Sequence, residues 1–181
     1  MEETLIMGLD ISTSHIGVCI ATKDDQIKLF SAIDYSKLGD LTIFDKTKLF
    51  RMKMMDVFEE YNIKTVYIEQ PLLMFKQAAS RIQVIVLLQQ FNALCQFVLN
   101  EMGKKVVMIP SSTAMKAGLG IGRKPKWVED KKVWTSEEFH KLHPEIELKR
   151  YEKGKKEGQI HSDEYDKVDA WMCSRAHILG K

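Results

Sequence analysis

The alternation of apolar and polar positions divides the chain into short strands and longer helices. Three apolar stretches of strand length, at residues 4–10, 15–22 and 26–34, are separated by short polar turns, which predicts an antiparallel meander. Two more strands are predicted at residues 64–71 and 104–110, each after a helical stretch. The two crossovers predict that these later strands join the sheet in parallel.

Helical spacing of apolar residues predicts helices over residues 45–61, 77–102, 126–142 and 161–179, and a short helix within 111–127. The helix 77–102 is apolar nearly all round. A helix of this kind is buried on more than one side, so we expect it to pack against the sheet and against a second subunit. The fold class is therefore α/β, with a five-stranded mixed sheet flanked by helices in a single domain, residues 1–181.

Bulk composition places the chain among soluble globular proteins. Apolar residues make up 45% and charged residues 29% of it. The N-terminus lacks a signal pattern and no apolar run is expected to reach membrane-spanning length, so we expect no membrane partner. The three cysteines lie in apolar stretches without metal spacing, as in a reduced compartment. We therefore expect a cytoplasmic location in a bacterial or phage-infected cell, or an organelle matrix or nucleoid.

Charge is distributed unevenly although the net charge is only +2. Residues 104–156 contain 14 Lys and Arg against 7 Asp and Glu, and the remaining chain is acidic. A polyanionic partner that binds the basic region next to a carboxylate centre would explain this uneven distribution of charge. Within the basic region, residues 149–158 are interpreted as a flexible, solvated loop. The spacing GxxxxGK[ST] is absent, so no nucleotide cofactor is expected.

Four carboxylates occupy positions where the pattern calls for burial. Asp10 and Glu69 end apolar strands, and Asp166 and Asp169 lie three apart on one face of the last helix. Each one alone is more simply a cap or a surface charge, and Asp163 is assigned such a role at the first helical turn. Four acids gathered together would repel one another, which divalent cations relieve. The set therefore predicts a site for Mg²⁺ or Mn²⁺, with two ions for phosphodiester cleavage.

The element order and four motifs resemble the RuvC family of Holliday junction resolvases, within the RNase H-like nucleases. The motifs are "GLDISTSHIGVCI", "VYIEQPLLMFKQAASR", "STAMKAGLGIGRKPKW" and "DEYDKVDAWMCSRA", and they span nearly the whole chain. The resemblance implies an RNase H-like fold and a homodimer that cuts two strands of a four-way junction, with the dimer formed through helix 77–102. It implies metal-binding catalytic roles for Asp10, Glu69, Asp166 and Asp169, and a catalytic role beside the scissile phosphate for Lys116.

Candidate DNA-binding residues cluster after the fourth and fifth strands. Basic side chains there would neutralise phosphates without reading bases. Phe75 would act as a wedge at the junction centre, or else as a contact between subunits. The predicted DNA-binding set is Phe75, Lys76, Arg81, Lys116, Arg123, Lys124 and Lys126.

The remaining aromatic and histidine side chains receive structural interpretations. Trp127, Trp134 and Trp171 are predicted to anchor the core. His15 is interpreted as a hairpin residue, and His161 as a cap of the last helix.

Three other functions are compatible with parts of the sequence. The same fold could cut other branched DNA, RNA–DNA hybrids or structured RNA. "DISTSHIG" also resembles the first phosphate loop of actin-like and sugar-kinase ATPases, but those proteins need two such domains around a cleft. A junction-binding module without catalysis is the third, and the complete acidic set argues against it.

Overall fold

The computed structural model describes residues 3–71 and 80–180, and it contains the predicted five-stranded sheet. The strands are β1 (Leu5–Ile11), β2 (His15–Thr22), β3 (Ile27–Asp34), β4 (Ile63–Glu69) and β5 (Lys105–Ile109). Their order in the sheet is β3-β2-β1-β4-β5. The first three strands pair antiparallel, and β4 and β5 are parallel to β1, so the predicted mixed sheet is confirmed.

Five helices and one 3₁₀ turn flank this sheet in the described part of the chain. They are α1 (Ile43–Glu60), α2 (Ser80–Glu101), α3 (Ser111–Leu119), α4 (Lys131–Leu142) and α5 (Ser162–Ser174), and the turn is Arg175–Leu179. Helices α1 and α2 cover one face of the sheet through a core cluster that includes Phe50 and Phe91. Helices α3, α4 and α5 cover the other face through a cluster around Trp171.

Several predicted helix boundaries are corrected by side-chain and backbone caps. Helix α1 begins earlier than predicted, because Thr42 and Asp45 form a reciprocal capping box. Helix α4 begins at Lys131 rather than 126, because the Asp130 carboxylate accepts hydrogen bonds from the Lys132 and Val133 amides. The last helix changes to a 3₁₀ turn at Arg175. His161 occupies the N-cap position as predicted, but its side chain makes no capping hydrogen bond to the helix.

Helix α5 lies directly on β1 and β2 because two glycines leave room for it. A Cβ atom on Gly8 would lie 1.9 Å from the Ala170 carbonyl oxygen, and one on Gly17 would lie 2.0 Å from that of Asp166. Neither distance is possible for real atoms, so any side chain at these positions would push the helix away. The two glycines therefore determine how closely the acidic face of α5 approaches the sheet.

Residues 149–161 form an irregular hairpin, and within it residues 152–159 are exposed, as expected for a solvated loop. Arg150 pairs with Ile160 in an antiparallel bridge, and the Tyr151 amide donates to the Gln159 carbonyl at 2.9 Å. The Tyr151 ring stacks on the His161 ring with a centroid distance of 4.0 Å. This segment lacks an apolar pattern, so its order comes from backbone hydrogen bonds and one aromatic stack.

Helix α2 is more apolar than the sequence analysis allowed. Among the described residues, the segment Ile82–Glu101 is long and apolar enough to cross a membrane, with a mean hydropathy of 1.6. The expectation that no apolar run reaches that length is therefore wrong. Its inner residues Phe91, Cys95 and Leu99 are fully buried in the core, whereas its outer face leaves apolar side chains exposed. This combination is typical of a core helix with one uncovered face.

Candidate active site

Strand alternation directs Asp10 and Glu69 to the face of the sheet that α5 covers. Asp10 follows Gly8 by two residues, and Glu69 follows Tyr67, which packs in the cluster below α5. In the parallel pair of β1 and β4, Leu9 lies opposite Ile68. Asp10 and Glu69 therefore lie side by side at the carboxyl ends of neighbouring strands.

Helix α5 supplies the other two predicted acids to the same place. Asp166 and Asp169 are three residues apart on the helix face that rests on β1 and β2. Charge interactions join Asp10 to Glu69, Asp166 and Asp169. The structure thus brings together all four carboxylates that the sequence analysis singled out.

Burial and mutual repulsion favour the protonated forms of these acids. Burial, followed by the charges of Asp169 and Glu69, raises the pKa of Asp10 well above its usual value. Burial and the charge of Glu69 raise the pKa of Asp169 to about 7. Burial also raises the pKa values of Glu69 and Asp166, against the opposing effect of nearby lysines. A bound cation would reverse these shifts by stabilising the ionised forms.

The donor chemistry of this cluster fits a hard divalent cation. Carboxylate oxygens are the ligands that Mg²⁺ and Mn²⁺ prefer, and charge repulsion among the four acids would be relieved by such an ion. As the side chains are placed across residues 3–71 and 80–180, however, no three His, Cys, Asp or Glu residues already form a metal-ligating group. The four acids are therefore close enough to interact by charge, but their side chains do not yet form a ligand set.

Lys131 and Lys132, which the sequence analysis missed, are the lysines that face the carboxylates. The Lys132 ammonium lies 3.5 Å from Asp166 Oδ1. Burial alone would lower the pKa of Lys132, but the charges of Asp166, Asp169 and Asp10 raise it. The Lys131 ammonium donates to the Ser111 hydroxyl at 2.9 Å, and its charge acts on Glu69 and Asp169. In the sequence, the two lysines directly follow Asp130, a residue type that caps helices. This position at the start of a helix was the signal from which they could have been found.

His15 also belongs to the site, although it was interpreted only as a hairpin residue. Its Nδ1 lies 3.7 Å from Asp166 Oδ2, and its Nε2 lies 3.4 Å from Asp34 Oδ1. The pairing of β2 with β3 places His15 opposite Asp34. The imidazole therefore links Asp166 to the edge of the meander and holds that carboxylate in place.

The predicted basic residues are spread around this centre. Lys116 is exposed on α3, and within the described residues no hydrogen bond or ion pair joins its ammonium to the four acids. Arg123 and Lys126 are exposed in the loop before α4, and the Lys124 ammonium donates to the Val128 carbonyl. Phe75, Lys76 and the side chain of Arg81 lie outside the described residues. The DNA-binding roles of all these residues stay predictions.

The chain is similar to known proteins in structure, whereas its sequence matches none of the family models or curated proteins. Among solved structures, Thermus thermophilus RuvC superposes with a TM-score of 0.60 at 13% identity, over 97% of this chain and 93% of RuvC. The chain has the RuvC fold. The predicted resemblance is thereby confirmed for the fold.

Two further structures share the RuvC fold with this chain. The T. thermophilus RuvC complex with a Holliday junction substrate gives a TM-score of 0.61 at 11% identity, covering 97% of this chain and 92% of RuvC. The yeast mitochondrial Holliday junction resolvase gives 0.61 at 10% identity, covering 96% of this chain and 77% of the resolvase. The likeness extends over nearly the whole chain, including the elements that carry the four acids.

Proposed function

We propose that this protein is a metal-dependent, structure-selective endonuclease that resolves four-way DNA junctions by paired phosphodiester hydrolysis. The observation that carries the proposal is the convergence of Asp10, Glu69, Asp166 and Asp169 on one face of a RuvC fold. Crowded, largely buried acids beside two lysines suit a site that binds cations and a phosphate together.

The chain's own residues have separate parts in the proposed reaction. The four carboxylates would hold one or two Mg²⁺ or Mn²⁺ ions, which supply an activated water and stabilise the leaving oxygen. Lys132 and Lys131 would bind the non-bridging oxygens of the phosphate between them. His15 would keep Asp166 oriented toward the site. Hydrolysis joins the water oxygen to phosphorus and breaks one P–O bond, so one strand end keeps the phosphate and the other becomes a hydroxyl.

Cleavage assays with Asp10→Asn test the catalytic part of the proposal. We expect the variant to lose cleavage of a four-way junction in Mg²⁺ while it still binds the junction, because binding depends on the basic surface. Asp56→Asn, on the exposed side of α1, is the matched control and should cut normally. A fully active Asp10→Asn variant would remove this carboxylate from the mechanism. If wild-type protein cuts flaps or RNA–DNA hybrids faster than junctions, the assignment of a four-way junction as the substrate is wrong.

Thermal unfolding with added MgCl₂ or MnCl₂ tests metal binding without using activity. A ligand that binds the folded state alone raises the melting temperature, and the rise grows with the logarithm of the ligand concentration once this exceeds Kd. We expect the ions to stabilise wild-type protein and Asp56→Asn, and to have little effect on Asp10→Asn. An equal rise in all three proteins would place the ion elsewhere.

We also propose that the chain works as a homodimer through α2, since paired incisions need two active sites. The outward face of this helix carries Ile82, Val86 and Phe97 at helical spacing, with exposed fractions of 57%, 46% and 59%. Such an apolar row suits burial against its own copy across a two-fold axis. Phe97→Glu should halve the solution mass, whereas Phe44→Glu on α1 should leave it unchanged. An unchanged mass for Phe97→Glu would remove this face from the interface.

A further inference from the structure

The Trp127 side chain is exposed to solvent, so the expectation that it anchors the core is wrong. It is 76% exposed, whereas Trp134 and Trp171 are buried as predicted. No other large apolar side chain in the described part of the chain is as exposed. A tryptophan has much apolar surface to hide, and exposed tryptophans are concentrated at binding surfaces.

Hydrogen bonds and a buried neighbour hold the turn that carries Trp127, and they direct its side chain outward. Residues Pro125 to Val128 form a turn in which the Val128 amide donates to the Pro125 carbonyl at 3.1 Å. Val128 is 5% exposed and packs in the core cluster under α5, and the Lys124 ammonium donates to its carbonyl. Asp130 then caps α4. With Val128 anchored on one side, the indole of the preceding residue points away from the core.

The surroundings of the indole are positively charged. Arg123, Lys124 and Lys126 precede it, and the next helix begins with the two lysines that face the carboxylates. Two acids, Glu129 and Asp130, follow the indole, and the Asp130 carboxylate already accepts the capping hydrogen bonds of α4. An aromatic side chain among cations is the arrangement with which proteins bind strands of nucleic acid, by stacking on a base and pairing with phosphates.

We propose that Trp127 stacks on an accessible nucleobase next to the branch point, while Arg123 and Lys126 hold the phosphates of that strand. The inference deepens the proposed function and rests on it for the branched substrate. The loop leads within four residues to the lysines of the candidate active site, so a stacked base would position the strand for cleavage. A contact with a second copy is disfavoured because two such basic loops would repel each other.

Binding measurements in the Asp10→Asn background test the stacking without cleavage of the DNA. Loss of one base–aromatic stack corresponds to a weakening of about 5- to 150-fold. We expect that loss for Trp127→Ala and Trp127→Leu, whereas Trp127→Phe should retain most of the affinity because it keeps a ring. Phe44→Ala is the matched control, since Phe44 is 63% exposed on the opposite face of the sheet. It should bind as the parent protein does.

Tryptophan fluorescence gives an independent readout, because the other two indoles are buried. A four-way junction or single-stranded DNA should quench the emission more than a blunt duplex, and Trp127→Phe should abolish that difference. Unchanged affinity for Trp127→Ala, or the same quenching in Trp127→Phe, would overturn the inference. A halved solution mass for Trp127→Ala would also overturn it, by assigning the indole to a subunit contact.

The outcomes separate this inference from the proposed function. If wild-type protein cuts junctions and Trp127→Ala binds them normally, the stacking alone is refuted. If DNA quenches Trp127 and the alanine variant binds weakly, the inference holds even where no metal supports junction cleavage. In that case only the proposed activity fails.

Discussion

Gly17→Ala is the sharpest test of how the site is assembled. The added Cβ would lie 2.0 Å from the carbonyl oxygen and 2.3 Å from the carbonyl carbon of Asp166. Both neighbours are backbone atoms of α5, so no side-chain rotation relieves the clash. To restore an ordinary contact of 3.4 Å or more, the helix has to move by roughly 1.4 Å away from β2.

The expected losses follow from that displacement. Forcing extra volume into a packed interior costs about 1–3 kcal/mol, and a clash with backbone belongs at the upper end. For a chain of this length, about 3 kcal/mol lowers the melting temperature by about 6–12 °C. A catalytic group moved by about 1 Å can cost on the order of 100-fold in rate. The displacement of Asp166 and Asp169 should therefore slow cleavage by at least that factor, even in protein that is still folded.

Urea denaturation and single-turnover cleavage of a junction measure the two effects separately. Gly39→Ala is the control, because Gly39 has a φ of 73° but nothing within 4 Å of an added Cβ. That variant should lose about 1 kcal/mol of unfolding free energy and keep its cleavage rate. If Gly17→Ala loses no more stability than Gly39→Ala, the close approach of α5 to the sheet is refuted.

Two further predictions concern charge. Alanine at Lys153, Lys155 and Lys156, the exposed tip of the 149–161 hairpin, should lower the salt slope of DNA binding by about 0.9 per lost phosphate contact. An unchanged slope would place the hairpin tip outside the DNA interface. In the matched control, Lys53, Lys64 and Lys105 are replaced by alanine. Burial would lower the pKa of His143, but its pairing with the Asp25 carboxylate, 3.3 Å from Nε2, raises it. Protonated His143 therefore stabilises the fold at low pH, and this stability is lost as pH rises through the raised pKa. His143→Gln should flatten the dependence of unfolding free energy on pH above about 6.5, the usual pKa of histidine, and a dependence identical to wild type would exclude His143 as its source.

The sheet and the acidic cluster could be predicted because both follow from local periodicity. Strand alternation determines the face on which Asp10 and Glu69 lie, and a three-residue spacing aligns Asp166 with Asp169 on a helix. Parallel crossovers then leave few places where these faces can meet. The sequence pattern therefore contained most of the information about the candidate site.

What could not be predicted depends on contacts between distant segments. Lys132 joins the acids only because Asp130 starts α4 where it does, and His15 reaches Asp166 only because α5 crosses β2. Trp127 was predicted as core because tryptophan usually is, whereas the anchoring of Val128 decides its direction. The hairpin had no apolar pattern to reveal its hydrogen bonds.

The placement of α5 across β1 and β2 has a consequence for how the protein is made. Two of the four acids come from the first 69 residues, but the other two are on the last α-helix and reach the site only when that helix docks. A nascent or partly unfolded chain therefore has an incomplete centre and should not cut nucleic acid. The nuclease activity proposed above would in this way depend on completion of the fold, and an incomplete chain would leave the surrounding DNA and RNA intact.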